Sequence, residues 1–198
     1  MPSMFETITH TDLDILHAIK SSLASPAMDS VMAFITTLGD MGFIWFVVAL
    51  TAIMLKKHRT YGIAIIVAIA LAYVIGDLGL KHLFERPRPF LADPTLATNL
   101  IELPSSFSFP SGHTSSSFAA ATVLCLTPFA HRWFKPAAMA GAVAIAFSRL
   151  YLCVHYPSDV CAGAILGIVC GILAVRVVGI LAARHADAKR EKTLHKRG

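Results

Sequence analysis

Two apolar runs, 137–154 and 160–183, lie almost end to end, and the only polar break between them is short. Arg149 sits inside the first run. His155, Tyr156, Pro157, Ser158 and Asp159 form the junction. An arginine left alone at mid-bilayer costs about 2.5–3.5 kcal/mol on insertion scales, so a charge in such a setting needs a partner or a task. Any fold of this chain must therefore bring other groups to residues 149–159. The setting itself is a membrane. Hydrophobic residues make up 56% of the 198 and charged residues 15%, against about 25% charge in an ordinary soluble domain. The expected class is all-α, a polytopic membrane protein.

The chain pattern supplies the helices. Residues 11–23 set Leu13, Leu16, Ile19 and Leu23 among Asp12, Asp14, His17 and Lys20, the pattern of a short N-terminal amphipathic helix lying at the interface. Residues 26–38 are apolar but short of the roughly 20 residues a span needs, and Gly39-Asp40 ends them. Apolar runs follow at 41–55, 61–84, 112–130, 137–154 and 160–183, with a polar, proline-containing loop at 85–110. Counting 26–38, a six-helix transmembrane bundle is expected. The chain reads as one domain over 1–198, with an interfacial helix in 1–25, a membrane core over 26–183 and a basic tail at 184–198.

Alternation along these runs gives a sidedness. Lys56, Lys57, Arg59, Arg132, Lys135 and the tail cations Arg184, Lys189, Arg190, Lys192, Lys196 and Arg197 fall on one side, the cytoplasmic one by the positive-inside rule. Lys81, Arg88, Ser111, His113, Arg149 and His155 fall on the other. Beside a spanning helix a basic tail faces anionic headgroups. With no aromatic or groove-reading motif beside it, no nucleic-acid partner is expected. Arg176, late in the last run, snorkels towards the same surface as the tail. The four cysteines (Cys125, Cys153, Cys161 and Cys170) lie in apolar runs without metal-ligand spacing and read as small core residues. Glu6, Asp12 and Asp14 without a basic n-region argue against a cleaved signal peptide.

Three polar segments share the non-cytoplasmic side. Lys81 and Arg88 are donors for an anion, although a basic side chain at a helix end also snorkels to headgroups, and Asp77 is placed to pair with Lys81 at i,i+4. Pro110-Ser111-Gly112-His113 precedes an apolar helix, whose free N–H groups and partial positive charge suit a phosphate; an ordinary serine cap explains the same residues. Arg149 is a fork-shaped donor for phosphate oxygens. One helical turn sets Asp159 against His155, the arrangement that fixes a tautomer and stabilises an imidazolium. A metal site built from His113, His155 and Asp159 is the rival use, but Lys81, Arg88 and Arg149 would repel a cation. A serine nucleophile fits less well, since neither Ser111 nor Ser148 lies in a nucleophile elbow.

Lys81-x6-Arg88-Pro89, Pro110-Ser111-Gly112-His113 and Ser148-Arg149-x5-His155-x3-Asp159 together resemble, in order and spacing, the signature of the type 2 phosphatidic acid phosphatase family, a superfamily shared with vanadium haloperoxidases and glucose-6-phosphatases. The resemblance implies an integral-membrane lipid phosphatase working through a phosphohistidine. His155 would be the nucleophile, Asp159 its support and His113 the acid and base. Lys81, Arg88, Ser111, Gly112, Ser148 and Arg149 would bind the phosphoryl group. It implies no cofactor and no metal, a lipid phosphate substrate with the bilayer as the other partner, and a bacterial-type plasma (inner) membrane location. Undecaprenyl pyrophosphate is the expected substrate; phosphatidylglycerophosphate and phosphatidic acid are the alternatives, and a non-catalytic phospholipid-binding transporter or scaffold is the reading from another class. Phe107 and Phe109 flank the second motif and suit lipid chains or the interface. No oligomeric partner is assigned.

Overall fold

A computed structural model of the chain describes residues 4–128 and 132–195. Tail residues Lys196 and Arg197, and the end of the expected 112–130 run, lie outside the described residues. All regular structure among the described residues is helical. The long helices are α1 (Met4–Leu23), α2 (Pro26–Gly39), α3 (Phe43–Met54), α4 (Arg59–Tyr73), α5 (Gly112–Leu126), α6 (Phe134–Tyr151) and α7 (Pro157–His195).

Among the described residues, three stretches are long and apolar enough to cross a membrane: Pro26–Met54, Lys56–Ala92 and Pro157–Lys189. The protein is therefore a multi-pass membrane protein. More such stretches were expected from the sequence. α5 has 15 residues, short of a full span, and α6 carries Lys135 near its start and Arg149 near its end. The first stretch is interrupted between α2 and α3, where Met41 (φ 50°) and Gly42 (φ 70°) take left-handed conformations. The second widens after Tyr73 into a π-type stretch, Val74–Leu80, before a last helical turn, Lys81–Phe84. Such widenings gather at functional sites.

Small residues let the core helices approach closely. Alanines fill the interior: Ala49 of α3, Ala64, Ala68 and Ala72 of α4, Ala119, Ala120 and Ala121 of α5, Ala142 of α6 and Ala174 of α7 are buried together. The tightest seam is between α5 and α7. Gly163, Gly167 and Gly171 recur every four residues on one face of α7, and a Cβ at Gly167 would lie 2.4 Å from the Ser115 carbonyl oxygen. At Gly163 it would lie 2.7 Å from the Ser111 carbonyl oxygen. Backbone-to-backbone contact of this kind is how helices pack where lipid removes the hydrophobic drive. Across the bundle the Trp45 indole N–H donates to Ser117 Oγ at 2.9 Å. Large apolar side chains instead face outwards, Phe34 and Ile165 each 65% exposed, as a lipid-facing surface requires. α1 lies against this bundle with Leu16 fully buried beside Leu96, Cys153 and Tyr156.

The glycine seam yields a direct test. Gly167→Leu forces α5 and α7 apart, and overpacking of this kind costs about 1–3 kcal/mol or more. Its unfolding temperature in detergent is expected to fall clearly. Gly179→Ala, where an added Cβ meets nothing within 4 Å, is expected to leave that temperature unchanged.

Candidate active site

The third motif is a helix–turn–helix corner. Arg149 sits in the last turn of α6. The chain then reverses through Cys153 (φ 52°), and the Val154 N–H returns to the Arg149 carbonyl at 3.2 Å. α7 starts at Pro157, where a missing N–H costs nothing. Asp159, in the first turn, accepts from the Tyr156 backbone N–H at 3.0 Å through Oδ2, the back-bond of a capping box. That cap swings His155 to the end of the bundle with Nδ1 3.6 Å from Asp159 Oδ2.

The other segments meet this corner. The Ser111 N–H donates to the Asp159 carbonyl at 3.2 Å, which ties the start of α5 to the start of α7. His113, in the first turn of α5, has Nε2 2.8 Å from Asp40 Oδ1 in the α2–α3 connection. Lys81 opens the helical turn that follows the widened stretch and pairs with Asp77 at 2.5 Å. Arg88, on the following loop, is almost wholly buried. Its Nε donates to the Ser106 carbonyl at 2.6 Å, Nη1 to the Val154 carbonyl at 2.8 Å, and Nη2 to Ser106 Oγ at 3.0 Å and the Phe107 carbonyl at 3.3 Å. The second Nη1 donor reaches His155 Nε2 at 3.3 Å.

These groups surround one cavity of about 420 Å³. Its polar lining includes Asp77, Lys81, Arg88, Gly112, His113, Arg149 and His155, and its apolar lining includes Phe46, Ile66, Ile69, Ala70 and Tyr73 of α3 and α4. Three expected site residues do not line it. Asp159 stands behind His155, fully buried. Ser111 is fully buried and its Oγ accepts from Thr114 at 2.9 Å. Ser148, also fully buried, donates to the Ile145 carbonyl at 2.7 Å. Both serine hydroxyls are thus turned to the protein rather than to the cavity.

The electrostatics are uneven. Lys81 has Asp77, and His113 has Asp40. Among the described residues Arg88 and Arg149 form no ion pair; Arg88 is held by carbonyls and hydroxyls, and Arg149 by Thr36 Oγ1 at 2.5 Å, with its Nε buried and unbonded. The cavity lining does include one carboxylate, Asp77, but that group is paired with Lys81, so the two buried guanidinium groups facing the cavity stay unpaired and suit an anion. Burial, helped by those two cations, pushes the His155 imidazole down to about 3, so the ring is neutral at pH 7. A guanidinium only donates, so Nε2 is the accepting nitrogen and the ring proton is on Nδ1, towards Asp159.

Reasoning from the sequence missed several residues here. Asp40 bonds His113, Thr36 bonds Arg149, and Ser108 Oγ donates to Asp159 Oδ2 at 2.5 Å. Arg86 bonds Asp159 Oδ1 at 2.6 Å and, on its other side, Asp12 of α1 at 2.8 Å. Asp40 had a weak signal, a carboxylate interrupting an apolar pattern; the others had none, because their partners lie far away in sequence.

The model of the PAP2 superfamily matches residues 60–181. An undecaprenyl-diphosphatase from Sulfolobus acidocaldarius is 30% identical over 151 residues, covering 76% of this chain and 70% of the relative. A decaprenylphosphoryl-5-phosphoribose phosphatase from Mycobacterium tuberculosis is 31% identical over 178 residues, covering 89% and 96%. The crystal structure of a transmembrane PAP2-type phosphatidylglycerolphosphate phosphatase from Bacillus subtilis superimposes with a TM-score of 0.70 at 27% identity, covering 85% of this chain and 84% of that one.

Proposed function

From the premise that this chain belongs to the PAP2 superfamily, in which it is a lipid phosphatase, we propose that it hydrolyses a polyprenyl-linked phosphate through a phosphohistidine on His155. One observation carries this reading: two buried arginines without carboxylates, Arg88 and Arg149, face the same cavity as His155 Nε2. Undecaprenyl pyrophosphate is the preferred substrate. The two relatives named above carry polyprenyl substrates in their names, and the apolar wall of the cavity suits a prenyl chain.

The steps follow from the groups present. The phosphoryl oxygens take donors from Arg88, Arg149, Lys81 and the Gly112 N–H, with Ser111 and Ser148 joining once their hydroxyls turn. Positioning and charge are the main requirements of phosphoryl transfer. The Nε2 lone pair of His155 bonds to phosphorus as the bond to the leaving oxygen breaks, and His113 gives that oxygen a proton. The ring becomes cationic, and Asp159 behind Nδ1 stabilises it. Water then loses a proton to His113 and attacks phosphorus; the P–N bond breaks, and inorganic phosphate leaves. Asp40 fixes the ring of His113.

In the membrane, α2 to α7 form a six-helix bundle with α1 at the interface and the residues after 183 as a cytoplasmic tail, all within a single domain. The reactive end opens on the non-cytoplasmic face of a bacterial-type plasma membrane. The positive-inside distribution of Lys56, Lys57, Arg59, Arg132 and Lys135 supports that sidedness.

Purified protein is expected to release phosphate from undecaprenyl pyrophosphate with EDTA present, and faster than from phosphatidylglycerophosphate or phosphatidic acid. His155→Ala should lower kcat by at least about a thousandfold, as removal of a nucleophile does. Substantial turnover by that variant would remove His155 from the chemistry. Ala70→Trp, in the apolar wall, should raise KM for the long-chain lipid about tenfold while sparing a short-chain soluble phosphate ester, since it affects binding alone. Equal effects on both substrates would place the chain elsewhere.

A further inference from the structure

Asp159 is fully buried, yet the imidazole before it is neutral, so its charge must be balanced from another side. Arg86 does this. Its Nη1 bonds Asp159 Oδ1 at 2.6 Å and Ser158 Oγ at 2.7 Å, and its Cζ lies over the Tyr156 ring, 3.9 Å from the centroid. Its Nη2 bonds Asp12 Oδ2 at 2.8 Å and Thr9 Oγ1 at 3.2 Å, both on α1. Asp12, 4% exposed, accepts in turn from the Ser158 backbone N–H at 3.1 Å through Oδ1 and from Ser158 Oγ through Oδ2. One guanidinium therefore joins two buried carboxylates from opposite ends of the sequence, and a helix start is clamped between them.

We infer that Arg86 and Asp12 are positioning residues for the hydrolytic reaction, and that α1 takes part in the site by holding them. This rests on the proposed role of His155 and Asp159. With Oδ1 anchored on Arg86, only Oδ2 is free to face the His155 ring, where Ser108 and the Tyr156 N–H also hold it. The charges matter as well. Asp12, Arg86 and Asp159 sum to one negative charge beside a ring that becomes cationic when it bonds phosphorus, with Arg88 on the ring's far side adding positive charge. Neutralising Asp12 leaves Arg86 to Asp159 alone and weakens the support of that cation. Removing Arg86 leaves two buried carboxylates with no cation between them, and such groups take up a proton instead of staying charged.

The test is steady-state hydrolysis by the full-length protein in detergent, using undecaprenyl pyrophosphate or the panel lipid that turns over fastest. Arg86→Gln should lower kcat about 10- to 100-fold, the usual effect of losing a group that orients a reacting residue, with KM changed less than about threefold. Arg86→Lys, which keeps the charge, should regain about tenfold of that loss. Asp12→Asn keeps the hydrogen-bonding shape and should lower kcat about three- to tenfold through the charge alone. Since Asp12 acts through Arg86, the double variant should be no slower than Arg86→Gln. A loss confined to KM, additive losses, or kcat within twofold of wild type in Asp12→Asn would overturn the inference. If Arg86→Gln yields no folded protein, the kcat of Asp12→Asn decides alone. His155→Ala in the same assay separates the two ideas: activity there sinks the phosphohistidine reading itself, whereas a dead His155→Ala beside unaffected Asp12 and Arg86 variants sinks only this one.

Discussion

The cost of putting charge inside an apolar bundle governs this structure. An unpaired ion in such surroundings is expensive enough that it pairs or changes its protonation state. Most of the charges at the reactive end pair: Lys81 with Asp77, His113 with Asp40, and Arg86 with both Asp12 and Asp159. Arg88 and Arg149 are the exceptions among the described residues. Both stay buried on neutral acceptors, and both face the cavity. An anion entering there meets the pairing those two cations lack, so the binding energy is stored in the unliganded fold.

Holding like charges this close needs a stiff frame, and packing provides it. The glycine face of α7 brings the α5 backbone within reach of Asp159, so the Ser111 N–H bonds the Asp159 carbonyl directly. Any larger residue at Gly163 would push away the helix start that carries Gly112 and His113. The same corner uses a capping carboxylate for two purposes: Asp159 satisfies the start of α7 and backs the His155 ring. Helix capping and the approach to the His155 ring share one side chain, which explains why the spacing between residues 149, 155 and 159 admits so little freedom.

Much of this was legible in the sequence, for physical reasons. A capped helix after a tight turn fixes which residues of a short segment face one way, so the convergence of Arg149, His155 and Asp159 followed from spacing. Alternating apolar runs placed Lys81, Arg88, Gly112 and His113 at the same end. What spacing could not give was orientation within a packed core. Ser111 and Ser148 sit at the expected height, but their hydroxyls bond Thr114 and Ile145. Nor could it give partners across long separations: Asp12 reads as one polar position on an amphipathic helix, and its burial against Ser158 and Arg86 depends on where α1 docks. Length and hydropathy pick out fewer spans than six for another reason. Helices surrounded by other helices, such as α5, are short and rich in small residues, so length and hydropathy describe them less well than lipid-facing ones.

The shape of the cavity joins these strands. Its cations and imidazoles stand at one end, while Phe46, Ile66, Ile69 and Tyr73 extend it along α3 and α4. A soluble phosphate would gain only the first half of that surface. On the proposed reading a lipid phosphate gains both, and its chain need not leave an apolar medium to bring the headgroup to the polar end of the cavity. The headgroup does have to shed water, and the unpaired guanidinium groups offset that cost at the point where it arises. Desolvation of the anion and desolvation of Arg88 and Arg149 are thus relieved by the same contact. An anion lacking a chain would have to shed its water without the apolar contacts that help bring it in, so the cavity discriminates by coupling the two halves rather than by either alone.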